Sequence, residues 1–240
     1  MAATPRKRHP VYRMPTILAL DTSTDACSCA VWRAGELRES FAVIPRRHAA
    51  ELLPMIDALL AEMALGFADL DAIAFGRGPG SFTGLRIAAG VTQGLAYAAN
   101  LPVVPVSTLE ALALQTAAHG VQRRVLSVID ARIDEVYWAL ASVEGEQVAL
   151  LGAEHLGPPE TIVASGTEAL VAVGSGLALL ERFPAALRAR LQTRLPDEHP
   201  RAGAIARIAA LRFAQGCTVS ALDAEPLYLR DQVAKVPEKP

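Results

Sequence analysis

The 240-residue chain is 52% hydrophobic and sets 23 basic against 25 acidic side chains, a formal net charge of −2. That length can bury one large core or two modest ones, and the charge balance excludes a whole-surface attraction to nucleic acid, leaving only a local basic patch. No run reaches the roughly 18 apolar residues of a membrane span, so the expectation is a soluble protein with no membrane contact, and an odd count of three cysteines with no C-x-x-C fits a reducing cytoplasm.

Residues 1–13 carry Arg6, Lys7, Arg8 and Arg13 but no apolar stretch, which excludes a secretory signal. They read as a basic, disordered extension, with Met14 as an alternative start and an RNA-touching arm as the sharper alternative. TILALD (16–21) is a buried-strand run ending in an acid. ACSCAVWRAG (26–35) and ELRESFAVI (36–44) add two strands with a hairpin near Gly35, an antiparallel meander. Cys27 and Cys29 lie two apart and should share one face as packing residues, and no C-x-x-C pairs them with Cys217.

Residues 48–63 predict a helix with Leu52, Met55, Ile56, Leu59, Leu60 and Met63 on one face. Ala49, Ala50, Leu53, Ala58 and Ala61 make the other side apolar too, so burial on both sides is expected. Pro54 predicts a helix start just before it or a kink. His48 and Glu51 alone make a poor metal site, because an H-x-x-x-H pair would need His where Leu52 stands.

A strand over 70–78 then runs into the loop GRGPGSFTGLRIA (76–88) and a helix over about 81–99. The loop has no Walker Lys, and a G-x-G-x-x-G reading from Gly76 meets Ser81 in place of the last glycine. Gly78 and Gly80 free the backbone to approach a ligand, Ser81 is a natural N-cap, and the amides of Phe82, Thr83 and Gly84 would face an anion. Alternatively the glycines serve only the tight turn, and residue chemistry leaves both readings open. Asp21 and Thr22, with Ser23 and Thr24, are equally two-sided: a cradle for hydrated Mg²⁺ and phosphate, or an Asx-type turn. Gly90, Gly94 and Ala98 form a small-residue stripe that fits either the chain's own sheet or a partner helix.

A strand over 101–107 and a helix over 108–119 complete a mixed α/β pattern. The pattern restarts in 123–145, where Asp130, Arg132, Asp134 and Glu135 echo the turn at Asp21, and in 169–180, a second strand–glycine–helix run. Two related halves divide near 118–123, giving an extension (1–13), a first lobe (14–118) whose helices over 48–63 and 81–99 are the candidates for partner binding, and a second lobe with the C-terminal tail (119–240). Residues 201–216 predict a late helix with Gly216 as C-cap.

Four stretches, ILALDTSTDACSCAVW, GRGPGSFTGLRIAAGVTQGLAYAANLPVVPVSTLEAL, VLSVIDARIDEVYWA and AEPLYLR, resemble the TsaB (YeaZ) family across about residues 14–233, and GPGSFTGLR (78–86) is highly specific to it. The resemblance implies an α/β fold of the actin/Hsp70/sugar-kinase (ribonuclease H-like) kind, with two related lobes of mixed sheets flanked by helices. It implies a non-catalytic partner of TsaD in transferring threonylcarbamoyl to N6 of adenosine 37 in tRNAs that read codons beginning with A. TsaE, an ATPase, joins the pair, tRNA is reached through the complex, and a homodimer uses the same surface.

On this resemblance the partner face comprises Leu52, Met55, Ile56, Leu59, Gly90, Gly94 and Ala98. Asp21, Thr22, Gly78, Gly80, Ser81, Phe82, Thr83 and Gly84 are the candidate anion or nucleotide contacts. Leu52 stands where a TsaD-like histidine pair needs its second member, and Ser23 replaces the glycine of the kinase-fold phosphate turn. The expectation is therefore no catalytic residue, no metal and no cofactor held by this chain alone, with ATP or ADP left open for the complex. A self-contained ATP-binding enzyme or hydrolase of the same fold is the alternative.

Overall fold

The computed structural model describes residues 14–120 and 124–230. The basic extension expected over 1–13 and the end of the tail, 231–240, lie outside the described residues. The first half runs β1 (Thr16–Asp21), β2 (Ala26–Arg33), β3 (Glu36–Val43), α1 (His48–Glu62), β4 (Ala72–Gly78), α2 (Phe82–Ala99), β5 (Val103–Ser107) and α3 (Thr108–Gln115). The second runs β6 (Arg124–Arg132), β7 (Glu135–Glu144), β8 (Gln147–Leu150), β9 (His155–Gly157), β10 (Leu170–Val173), α4 (Ala185–Arg188), β11 (Leu191–Leu195) and α5 (Ala202–Ala214).

The two halves build the same sheet twice. The first has the order β3-β2-β1-β4-β5, with β1–β3 antiparallel and β4 and β5 parallel to β1. The second has the order β8-β7-β6-β10-β11, with the same directions and β9 added against β7. This duplication is the two-lobe architecture of the actin/Hsp70/sugar-kinase fold. The meander is set locally: Ala34 and Gly35 both take positive φ (51° and 88°), as a two-residue hairpin needs.

Strand periodicity sorts side chains into layers. On β1, Leu18 and Leu20 face the outer core with Cys27, Cys29, Ile73 and Phe75, under α1 and α2. Ile17 and Ala19 face inward with Ala30, Ala72 and Ala74. On β6, Val125 and Ile129 face that same inner core, whereas Leu126 and Val128 face the far side of the second sheet. The inner core is filled by α3 and α5, whose Ala111, Ala113, Ala206 and Ala209 are fully buried. Alanine on both surfaces lets helix and sheet approach closely.

Several expectations change on packing. The division near 118 separates the sheets but not the helices, because α5 lies on the first sheet and α3 against the second. Helix α1 runs through Pro54 without a break. Ala50, whose carbonyl loses its helical partner, is exposed, so water can satisfy it. The same helix buries only one side, His48, Leu52, Ile56, Leu59 and Leu60, and leaves Leu53, Ala58 and Ala61 exposed. After Gly174 the expected helix is a 3-10 segment, Ser175–Arg182. Gly216, at φ 76°, follows the end of α5, and the Cys217 amide donates to the Arg212 carbonyl at 2.9 Å.

Because α3 is wedged between the sheets, Leu112→Ala should cost about 2–5 kcal/mol and weaken both lobes together. Trp32 and Trp138 lie in different sheets. Urea unfolding followed in Trp32→Phe and Trp138→Phe backgrounds should therefore give coincident transitions, shifted equally by Leu112→Ala.

Candidate functional site

Strands β1 and β4 are parallel neighbours, so their C-terminal ends put the Asp21 turn beside the glycine loop. Strands β6 and β10 do the same for the Asp130 turn and Gly174. These ends face one another across a cleft of about 360 Å³, lined by Ser23, Thr24, Ser81 and Phe82 on one side and by Asp130, Arg132 and Ser175 on the other. In an α/β sheet, strand ends of this kind are the usual ligand position.

The glycine loop is closed onto its own chain. The Ser81 amide donates to the Ser23 carbonyl at 2.7 Å, and Thr22 Oγ1 donates to the Gly84 carbonyl at 2.7 Å. A side chain at position 80 would overlap the Ser23 carbonyl, and one at position 84 the Thr22 carbonyl. The space that glycine opens is therefore taken by the Thr22–Ser23 turn. Ser81 caps α2 as expected, its Oγ accepting from the Gly84 amide at 3.4 Å. The Gly78–Pro79 bond is cis.

Asp21 is fully buried beneath this closure and does not line the cleft. Its Oδ1 accepts from the Ser23 amide at 3.0 Å and the Ser23 hydroxyl at 2.8 Å. Its Oδ2, pressed against Gly76, has no hydrogen-bond partner. Burial pushes the carboxyl up to about 7, against the lowering effect of the two Ser23 hydrogen bonds.

Asp130 occupies the matching place with the opposite solvation. Half-buried, it accepts from the Arg132 amide at 2.8 Å and guanidinium at 3.2 Å, and Arg132 also reaches Asp25 of the first lobe at 3.6 Å. Arg132, Ile133 and Asp134 all take positive φ. The other candidate ligands are committed elsewhere. His48 Nε2 lies 3.2 Å from the Ala26 carbonyl, an acceptor, and Glu51 pairs with Arg47. Among the described residues, no group of three or more His, Cys, Asp or Glu side chains is placed to hold a metal ion.

The family model described as TsaD, tRNA N6-adenosine threonylcarbamoyltransferase, matches residues 42–237. The tRNA threonylcarbamoyladenosine biosynthesis protein TsaB of Haemophilus influenzae is 38% identical over 229 residues, covering 91% of this chain and 94% of that protein. Its namesake in Escherichia coli is 38% identical over 239 residues, covering 93% and 99%. The chain belongs to the TsaB (YeaZ) family. A solved YeaZ structure from Pseudomonas aeruginosa, 42% identical, superposes with a TM-score of 0.86 over 90% of this chain and all of that one.

Against this TsaB-family frame, the candidate anion contacts divide. Gly80, Ser81 and Phe82 line the cleft. Asp21, Thr22, Gly78 and Gly84 are buried behind it, and Thr83 is exposed on the first turn of α2. His199, whose Nδ1 lies 3.3 Å from Thr24 Oγ1, and Ser175, whose Oγ accepts from the Asp130 amide at 3.1 Å, join the cleft without having been singled out in the sequence. His199 lies in an irregular connection far along the chain, with no local motif around it.

The expected partner face divides too. Leu52, Ile56 and Leu59 belong to the lobe's own core, 0–4% exposed, which corrects their assignment to a contact surface. Met55 is half-buried, and Gly90, Gly94 and Ala98 are exposed. A side chain added at Gly90 or Gly94 would meet nothing within 4 Å, so the stripe does not pack on the chain's own sheet.

Two measurements check these assignments. Below pH 3.8 Asp21 is protonated in both the folded and the unfolded chain; between 3.8 and about 7 only the unfolded chain ionises, so stability falls as pH rises and levels off above 7. Asp21→Asn, which cannot ionise, should gain on the wild type by about 2–3 kcal/mol in urea unfolding between pH 5 and pH 8. In the same assay Gly84→Ala should destabilise by about 1–3 kcal/mol or more, through the clash with Thr22. Gly90→Ala, in an open helix interior, should stabilise by about 0.5–1 kcal/mol.

Proposed function

We propose that this protein is a non-catalytic subunit of the machinery that makes threonylcarbamoyladenosine in tRNA, acting as the partner of the TsaD enzyme. The H. influenzae and E. coli relatives carry the name of that biosynthesis. One observation carries the non-catalytic reading: the turn that would cradle a phosphate in a kinase-like lobe is filled by the chain itself. Thr22 and Ser23 put carbonyl oxygens where the glycine loop would admit a ligand, and Asp21 is sealed under Gly76. Carbonyl oxygens repel phosphate oxygens, and a buried carboxyl with no route to the cleft cannot hold a hydrated cation there. Whatever anion affinity the α2 N-terminus keeps is vestigial.

In this reading the surface that acts is helical. Gly90, Gly94 and Ala98 allow a helix to approach the backbone of α2 closely, with Tyr97 (72% exposed) on the same helix and Leu53 (45%) exposed on α1 as apolar contacts. TsaD occupies that face in the active complex, a second copy of this chain occupies it otherwise, TsaE joins the pair, and ATP or ADP belongs to the complex. The reaction serves adenosine 37 of tRNAs that read codons beginning with A, in the cytoplasm. No described helix is long and apolar enough to cross a membrane.

Mass spectrometry of tRNA nucleosides from cells depleted of the protein tests the reading. Threonylcarbamoyladenosine should disappear and return with the wild-type chain and with Asp21→Asn. It should not return with Gly94→Arg, which has open space for its side chain and so should fold normally. Unchanged modification after depletion overturns the proposed role. Rescue by Gly94→Arg but not by Asp21→Asn would instead favour chemistry at the chain's own strand ends.

A further inference from the structure

The last described stretch, residues 225–230, passes from one lobe to the other. On the first lobe the Leu227 amide donates to the Arg77 carbonyl at 2.6 Å, and the Leu227 carbonyl lies against Gly78. The Tyr228 ring packs on Phe82 with centroids 5.3 Å apart, and its hydroxyl accepts from Arg86 Nε at 3.3 Å. The Arg86 guanidinium in turn sits 4.0 Å from the centre of the Phe82 ring. Two residues on, Arg230 is anchored to the second lobe, donating to the Ala131 carbonyl at 3.2 Å and to the Glu135 carboxylate at 2.5 Å.

These anchors differ in kind from ordinary surface pairs. The Arg230 and Glu135 side chains are only 22% and 29% exposed, so their charge-assisted bond is shielded from water. The first-lobe anchor grips Phe82 and Arg86, one turn apart at the start of α2, and the second-lobe anchor grips the β6–β7 hairpin, where Arg132, Ile133 and Asp134 hold left-handed backbone. Leu227, Tyr228 and Arg230 thereby form a wall of the cleft. The inner core joins the lobes through buried side chains of both sheets, and this segment joins them a second time along the wall of the cleft.

We propose that residues 225–230 are a clamp that holds the two lobes closed and ties the first turn of α2 to that closure. Opening the cleft must either break the Arg230 anchor or drag Tyr228 off Phe82, so a lesion on one lobe is felt on the other. Closure and the setting of α2 are then linked reciprocally, each biasing the other by the same free energy.

Hydrogen–deuterium exchange on the full chain tests this with Arg230→Ala. Amides at 131–135 and, across the cleft, at 82–86 should exchange about three- to tenfold faster than in the wild type, with β1 unchanged. Faster exchange confined to 131–135, or no change at either place, overturns the clamp and leaves a local ion pair. Glu135→Gln keeps Arg230 and its bond to Ala131, and should show the same pattern at smaller amplitude. If Arg230→Ala fails to fold, Glu135→Gln decides by the same two regions.

Discussion

The close approach of the Thr22–Ser23 turn to the glycine loop is the constraint on which the rest of the first lobe depends. Two backbone carbonyls lie where side chains at 80 and 84 would otherwise stand, and the contact fixes where α2 begins. From that origin α2 lays Leu85, Ala88, Ala89 and Ala96 against the lobe and turns Gly90, Gly94 and Ala98 outward. One piece of backbone packing thus fills a potential phosphate site and orients a helical surface. The two halves of the functional proposal share that physical cause.

Beneath the contact, Asp21 shows what the closure costs. A carboxyl with one oxygen satisfied by Ser23 and the other unpartnered has its pKa pushed up to about 7 by burial. Its counterpart Asp130 stays in a solvated turn and pairs with Arg132. Two acids at equivalent strand ends have diverged through their surroundings alone, one into a sealed core and the other into the rim of an open cleft.

Much of the fold could be read from local pattern. The period-two strands, the Gly35 hairpin, the Ser81 cap and the Gly216 terminus each follow from a few adjacent residues, and all are found in the structure. What could not be read was which surface each apolar face meets. Leu52, Ile56 and Leu59 have the same spacing whether they pack on their own sheet or on a partner, and only the tertiary arrangement shows that they are core. The glycine loop was ambiguous for the same reason, since a glycine admits a ligand or a carbonyl equally well. His199 and Ser175 reach the cleft through long-range topology, which leaves no trace in nearby sequence.

Helix α5 carries a consequence for biosynthesis. The first sheet is complete once Ser107 has been made, yet its inner face, with Ile17, Trp32 and Val104, is covered by a helix that starts at Ala202. A ribosome adding about 5–20 residues per second leaves that face without α5 for several seconds. During that interval the nascent chain presents an apolar sheet surface whose intended cover has not yet been synthesised. The order of elements along the chain thus makes this protein a candidate for chaperone holding at the exit tunnel, a demand set by the topology and independent of the cleft.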